Sequence, residues 1–197
     1  MLALTTWYYV NKFQGVKLKR SALVADVIVV PMKKRHLSQV MRIEAKVYPR
    51  PWSLGIFLSE LNLHDSRHYY VAQSGRKVVG YCGLMVAVDE GHITNIAVDP
   101  EFWGIKVATR LLVNAFEVGR RTGVKDMTLE VRASNSRAQK LYFRFGFVPV
   151  GVRKGYYQEN SEDAIVMWTY NIDSPYFEAR LNEIKEGLLT GEADGNN

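Results

Sequence analysis

Two short stretches of this chain bring together groups that can move protons and hold a phosphate. In the segment LEVRASN at 129–135, apolar and charged residues alternate as they do along a strand. Glu130 and Arg132 then share one face, and Leu129 and Val131 share the other. A helix beginning at Ser134-Asn135 carries Leu141 and Tyr142, and it must pack back near that strand. A carboxylate that accepts a proton and a phenol that donates one can therefore converge on one cleft. A surface Glu–Arg pair beside a core tyrosine has the same spacing, and residue types alone favour it. The second stretch runs from His92 through Asp99-Pro100 to Leu112 and reads as strand, short loop, helix. A loop entering a helix leaves backbone N–H groups unpaired where the helix dipole is positive. Such a turn can hold a phosphate, with Lys106 and Arg110 adding charge. An ordinary strand-to-helix connection looks the same in sequence and is the more common.

The elements that must position these groups follow from pattern. Val27 to Pro31 is a β-branched run that reads as a strand. Leu37, Val40, Met41 and Tyr48 make an apolar stripe on a basic helix. Pro49 and Pro51 break it, and Ser53 caps a second helix with Leu54, Phe57, Leu58 and Leu61. Residues 69–73 and 78–88 read as a hairpin around Ser74-Gly75, and Glu90-Gly91 turns into a strand at 92–98. The helix that follows ends at Gly123. A strand at 127–131, a helix closed by Gly146, and strands at 147–152 and 164–170 complete the body. Residues 175–189 form a short amphipathic helix. The order predicts a mixed α/β fold, one sheet with helices on both faces. Residues 26–172 form the domain, 1–25 an extension, and 173–197 a C-terminal helix with a loose tail.

Composition narrows the class. The 197 residues are 47% hydrophobic and 23% charged, enough for one core. No apolar run reaches the roughly 18 residues of a membrane span. The only cysteine, Cys82, excludes an internal disulfide and fits a reducing cytoplasm. Net charge is +6, and residues 173–197 hold six acids against two bases, so the rest carries ten surplus positive charges. A basic body attracts polyanions. His64 and His68 stand four apart with no third ligand evident, so no metal site is expected and both histidines read as solvated. The tryptophans read as packing residues, and direct nucleic-acid binding rests on charge alone.

Five separated segments, in order, resemble the GNAT acetyltransferases, over roughly residues 26–170. They are YPRPWS at 48–53, NIAVDP at 95–100, LEVRASN at 129–135, LYFRFGF at 141–147, and GYY followed by EDAIVM at 155–167. Within that superfamily they are most similar to the branch acting on the N-terminal alanine of a ribosomal protein. The resemblance implies a largely antiparallel sheet splayed between the strands at 92–98 and 126–132, with acetyl-CoA in the gap. Its pantetheine would pair with the backbone of Ile96, Ala97 and Val98. Its pyrophosphate would sit on the turn formed by Trp103, Gly104, Ile105, Lys106, Val107 and Ala108, and Asn135 would touch the pantetheine arm. Glu130 matches the family's general base and Tyr142 its general acid. Tyr156 and Tyr157 match residues that hold the acceptor's backbone, and Tyr48 and Trp52 would form the opposite wall.

An acceptor α-amine has a pKa near 7.7–8.0, so Glu130, directly or through water, needs to give only modest help. The resemblance implies a protein N-terminus as acceptor, that of a ribosomal protein, with no membrane partner and no metal. The competing readings are an enzyme for lysine or a small amine, and a non-catalytic acyl-CoA-binding protein. The phosphate turn departs from the family's Gln/Arg-x-x-Gly-x-Gly/Ala: Trp103 stands first, Lys106 stands fourth, and only Ala108 fits. Weaker acetyl-CoA binding than in relatives with the full motif is expected, with gains on Lys106→Gly and Trp103→Arg measurable by calorimetry.

Overall fold

The computed structural model describes residues 27–190. The expectations for 1–25 and for the loose tail lie outside these residues. The elements are β1 (Val27–Pro31), α1 (Leu37–Val47), α2 (Leu54–Asn62), β2 (Arg67–Ser74), β3 (Lys77–Ala87) and β4 (Glu90–Val98), then α3 (Val107–Arg121), β5 (Asp126–Arg132), α4 (Ser136–Arg144), β6 (Val148–Tyr157), β7 (Glu162–Thr169) and α5 (Pro175–Leu189). The caps are those that the side chains allow. Ser53, Asn135 and Ser174 each accept a backbone N–H from the first turn of the helix that follows.

One seven-stranded sheet has the order β1-β2-β3-β4-β5-β7-β6. Every neighbouring pair is antiparallel except β4 and β5. Two cores lie on its two faces. One, under α1 and α2, gathers Leu37, Val40, Ile43, Phe57, Tyr69 and Tyr81. The other gathers α3 and α4 residues with β-strand residues, and α5 adds Phe177, Leu181, Ile184 and Leu188 to it. His68 differs from its sequence reading: it sits in β2, and the Nε2 edge of its ring is buried without a partner, so the ring is not solvated.

The parallel pairing of β4 and β5 is short. It runs from Glu90 opposite Asp126 to Ile93 opposite Leu129 and stops. Beyond that point β4 stays paired to β3 as far as Val98, and β5 stays paired to β7 as far as Arg132. The two strands therefore part while each keeps its other neighbour. A bulge sits at the parting point: across from β3, the register steps from Asn95 to Ile93, so Thr94 is an extra residue on β4. A bulge increases local twist and bends its strand, which turns the end of β4 away from β5.

Gly83 makes room for this bend. A Cβ there would lie 2.3 Å from the Tyr69 ring and 2.6 Å from the Thr94 hydroxyl. The Tyr69 hydroxyl bonds both Thr94 (3.0 Å) and Glu60 (2.9 Å), so the ring has nowhere to go. Gly83→Ala is expected to cost ~2–3 kcal/mol by overpacking. Thermal unfolding should show a fall in Tm of roughly 4–10 °C; an unchanged Tm would remove this account of the bend.

Candidate active site

The parting of β4 and β5 opens a cleft of about 380 Å³. Glu130 and Tyr142 both line it, with Tyr48, Trp52, Asn135, Tyr156 and Tyr157. The two proposed proton-transfer groups come from opposite sides of the sheet. In β5, Met127, Leu129 and Val131 face the α3/α4 core, so Glu130 faces the other way. Tyr142 belongs to the α3/α4 core and stacks edge-on against Phe147, ring centres 5.8 Å apart. In a zipped sheet the two would be separated by the backbone. The gap is what lets both reach one space.

Glu130 is nearly buried and doubly held. His92 Nε2 donates to Oε2 at 3.2 Å, and Arg153 Nη2 donates to Oε1 at 3.0 Å. The His92 hydrogen bond, helped by Arg153, outweighs burial and holds the carboxyl below the usual glutamate range. Glu130 is thus ionised at neutral pH. Tyr142 is fully shut in, and burial pushes its phenol well above the usual range, which keeps the proton on the oxygen. Its hydroxyl makes no hydrogen bond among the described residues.

Arg132 does not pair with Glu130. Its guanidinium binds Glu159 and Glu162 and lies 3.7 Å from the centre of the Tyr157 ring. This network fixes the β6–β7 hairpin that carries Tyr156 and Tyr157, whose rings meet edge-on at 5.1 Å. Burial pushes the Tyr157 phenol up to about 12. Across the cleft, Arg50 Nη1 donates to Gln158 Oε1 at 3.3 Å, joining the α1–α2 loop to that hairpin. The two walls expected for an acceptor slot are therefore connected at the rim.

The edge of β4 is partly occupied. Ile96 O accepts from the Tyr48 hydroxyl at 2.9 Å, and Val98 O accepts from Trp103 Nε1 at 2.9 Å. A strand residue points its N–H and C=O to the same side, so the N–H groups of Ile96 and Val98 lie on the open edge too. Ala97 faces the α1/α2 core with its side chain. Asn135 spends its side-chain oxygen on Ala138 N, as the cap of α4. At the turn, Gly104 has φ +79° and open space where a Cβ would stand. Ile105 and Val107 are buried and Ala108 is half-buried. Trp103 is exposed, and the Arg137 guanidinium lies 5.1 Å from its ring centre. Lys106 is left-handed (φ +61°) and stands just before α3 with no side-chain cap bond, and its ammonium turns to Gly187 O in α5 at 2.8 Å. Lys106→Gly would remove that tie as well as a Cβ, so its effect is more than relief of crowding. An open edge with two N–H donors, leading to the uncapped first turn of a 15-residue helix, fits a thioester arm followed by a phosphate group.

Sequence reasoning missed three contributors. His92 stands opposite Thr128, two residues before Glu130, on the same face; parity and the parallel register together point to it. Arg153 has no signal in sequence, because its approach depends on β6 lying beyond β7. Glu44 had a signal. It falls four residues after Val40 on the apolar stripe of α1, and it is buried in the wall of the cleft. Its carboxylate accepts from Trp52 N at 2.9 Å and from the Tyr81 hydroxyl. Burial pushes it up to about 7.

Comparisons with known proteins give the family. Residues 37–147 match the Acetyltransferase (GNAT) family. A Bacillus subtilis protein described as a putative ribosomal protein bS18-alanine N-acetyltransferase is 39% identical over 137 residues, 70% of this chain and 91% of its own. The ribosomal protein bS18-alanine N-acetyltransferase of Escherichia coli K12 is 33% identical, over 66% of this chain and 88% of its own. The crystal structure of the Escherichia coli ribosomal-protein-S18-alanine N-acetyltransferase superposes with a TM-score of 0.68 at 28% identity, covering 74% of this chain and 94% of that one. The chain belongs to the GNAT acetyltransferase family. It is an acetyl-CoA-dependent N-acetyltransferase. Among the described residues no helix is long and apolar enough to cross a membrane, and no three metal-ligating side chains cluster.

Proposed function

We propose that this protein acetylates the N-terminal α-amine of a protein, with the alanine terminus of ribosomal protein S18 as its acceptor. The observation that carries this is the cleft where β4 leaves β5, with ionised Glu130 on one side and protonated Tyr142 on the other. Support for the acceptor comes from the relatives, which are described as acting on that alanine.

Bound acetyl-CoA supplies an activated acyl group as a thioester. The chain's residues do the rest. The acceptor enters between Tyr48 and Trp52 on one wall and Tyr156 and Tyr157 on the other. Glu130 takes the proton of the attacking amine, directly or through one water. One backbone N–H on the parted edge of β4 faces the carbonyl oxygen as negative charge grows on it. Tyr142 gives its proton to the departing sulfur, a thiolate with a pKa near 8.5 by analogy with cysteine. The free thiol of Cys82 takes no part: it is buried, and burial pushes it up to about 12. Holding both reactants in place supplies much of the rate. We assign the work to the cytoplasm, where such an acceptor is made.

The test is a peptide assay. Supply acetyl-CoA with peptides differing in the first residue, each also with a blocked terminus, and follow thiol release and peptide mass. Acetylation of the free α-amine, strongest with alanine first, is the expected result. Modification of blocked peptides at lysine would transfer the activity to side chains; CoA binding without turnover would leave a binding protein. Tyr142→Phe is expected to lower kcat by roughly 10- to 100-fold with little change in acceptor KM.

A further inference from the structure

Helix α5 lies outside the segment matched to the family, yet it reaches the cofactor turn. It packs against α3. Near its start, Phe177 packs on Phe116 with ring centres 4.9 Å apart, and Glu178 meets Arg120 at 3.1 Å. Further on, Lys185 meets Glu117 at 2.6 Å. At its end, Gly187 O receives the ammonium of Lys106 at 2.8 Å, across 81 positions of sequence. The carbonyl end of α5 thus lies beside the amide end of α3.

This placement poses an electrostatic problem. The last carbonyls of a helix lack intrahelical partners and carry partial negative charge. Here they stand next to the turn expected to receive phosphates. Lys106 places a full positive charge between the two helix ends and satisfies one of those carbonyls. It does so from a left-handed backbone, φ +61°, a conformation that costs a non-glycine residue energy and persists only where the surroundings enforce it.

We propose that Lys106 is a positioning residue for the acetyl-CoA turn: its ammonium ties residues 103–107 to the end of α5, which serves as a backstop and has its negative end neutralised. This rests on the reading that acetyl-CoA binds at that turn. The ammonium acts through the tie, and the backbone of the turn meets the phosphates.

The test compares the full-length protein with Lys106→Met, which keeps the stem, and Lys106→Arg, which can still donate to Gly187 O. Amide hydrogen exchange without ligand is the first readout. Lys106→Met should speed exchange about tenfold in residues 103–110 and also at 186–190, while Lys106→Arg stays close to the parent. Calorimetry with CoA and with pantetheine, which lacks the phosphates, is the second. Lys106→Met should weaken CoA about 3- to 10-fold and pantetheine hardly at all. Unchanged exchange at 186–190 in Lys106→Met overturns the tie. Unchanged exchange together with a loss of CoA affinity that shrinks in salt assigns the ammonium to direct phosphate contact instead, and overturns it equally. If CoA fails to protect residues 103–108 in the parent protein, it is the site reading that falls, whatever the exchange at 186–190 shows.

Discussion

Glu130→Gln is expected to lower kcat/KM for an alanine-first peptide by about 10²- to 10³-fold, the range for loss of a positioned general base. The substitution keeps the size of the side chain and one acceptor oxygen for His92 or Arg153, so the fold and the CoA affinity should hold. The pH dependence separates this group from the acceptor. The His92 hydrogen bond keeps Glu130 below the usual glutamate range, so it stays ionised across the range in which an α-amine titrates. A rate that climbs between pH 6 and 8 in both the parent and Glu44→Gln therefore reports deprotonation of the acceptor amine, whose ordinary pKa is about 7.7–8.0. That rise should persist in Glu130→Gln beneath a lower plateau. Rates for parent and variant within threefold of each other at pH 7 would show that the amine needs no base from this residue.

The second large effect concerns stability. Glu44 is buried among apolar residues and rises to about 7, from an ordinary 4.5, because burial penalises its charge. The folded state thus binds a proton more tightly than the unfolded chain. The stability that this confers is complete below about pH 4.5 and is lost as pH rises through 7. The shift corresponds to an upper bound of about 3 kcal/mol. Glu44→Gln stays neutral, can still accept from Trp52 N, and should be nearly flat over the same window. The variant should therefore gain on the parent between pH 5 and 8, by up to roughly 6–10 °C in Tm. Parallel Tm curves for the two proteins across that window would refute the claim. Because Glu44 also holds Trp52, the same titration touches the acceptor wall. Acceptor KM measured across pH in both proteins shows how far that coupling extends.

Much of the architecture was legible because the local rules are strong. Strand β1, at Val27–Pro31, and the helix at 175–189 stand where β-branched and amphipathic patterns put them. The parting of two strands was not legible from periodicity, since 92–98 and 126–132 each look like ordinary strands. It entered as an implication of resemblance, and the pairing that ends at Ile93 and Leu129 gives it a physical cause in the bulge at Thr94. The candidate site was half legible. Spacing could bring Glu130 and Tyr142 to one cleft and only the resemblance gave them roles, whereas the groups that set their proton affinities could not be read at all.

The sequence by itself determined which residues are apolar, where helices begin and end, and that a carboxylate, a phenol and an uncapped turn recur in a family's order. Those are one-dimensional properties: spacing, caps and side-chain type act over a few residues. The tertiary structure decided that His92 and Arg153 both grip Glu130, that Arg132 serves the hairpin instead, and that Lys106 reaches α5. Each of those contacts joins residues 23 or more positions apart, and only a packed sheet brings such groups within hydrogen-bonding distance.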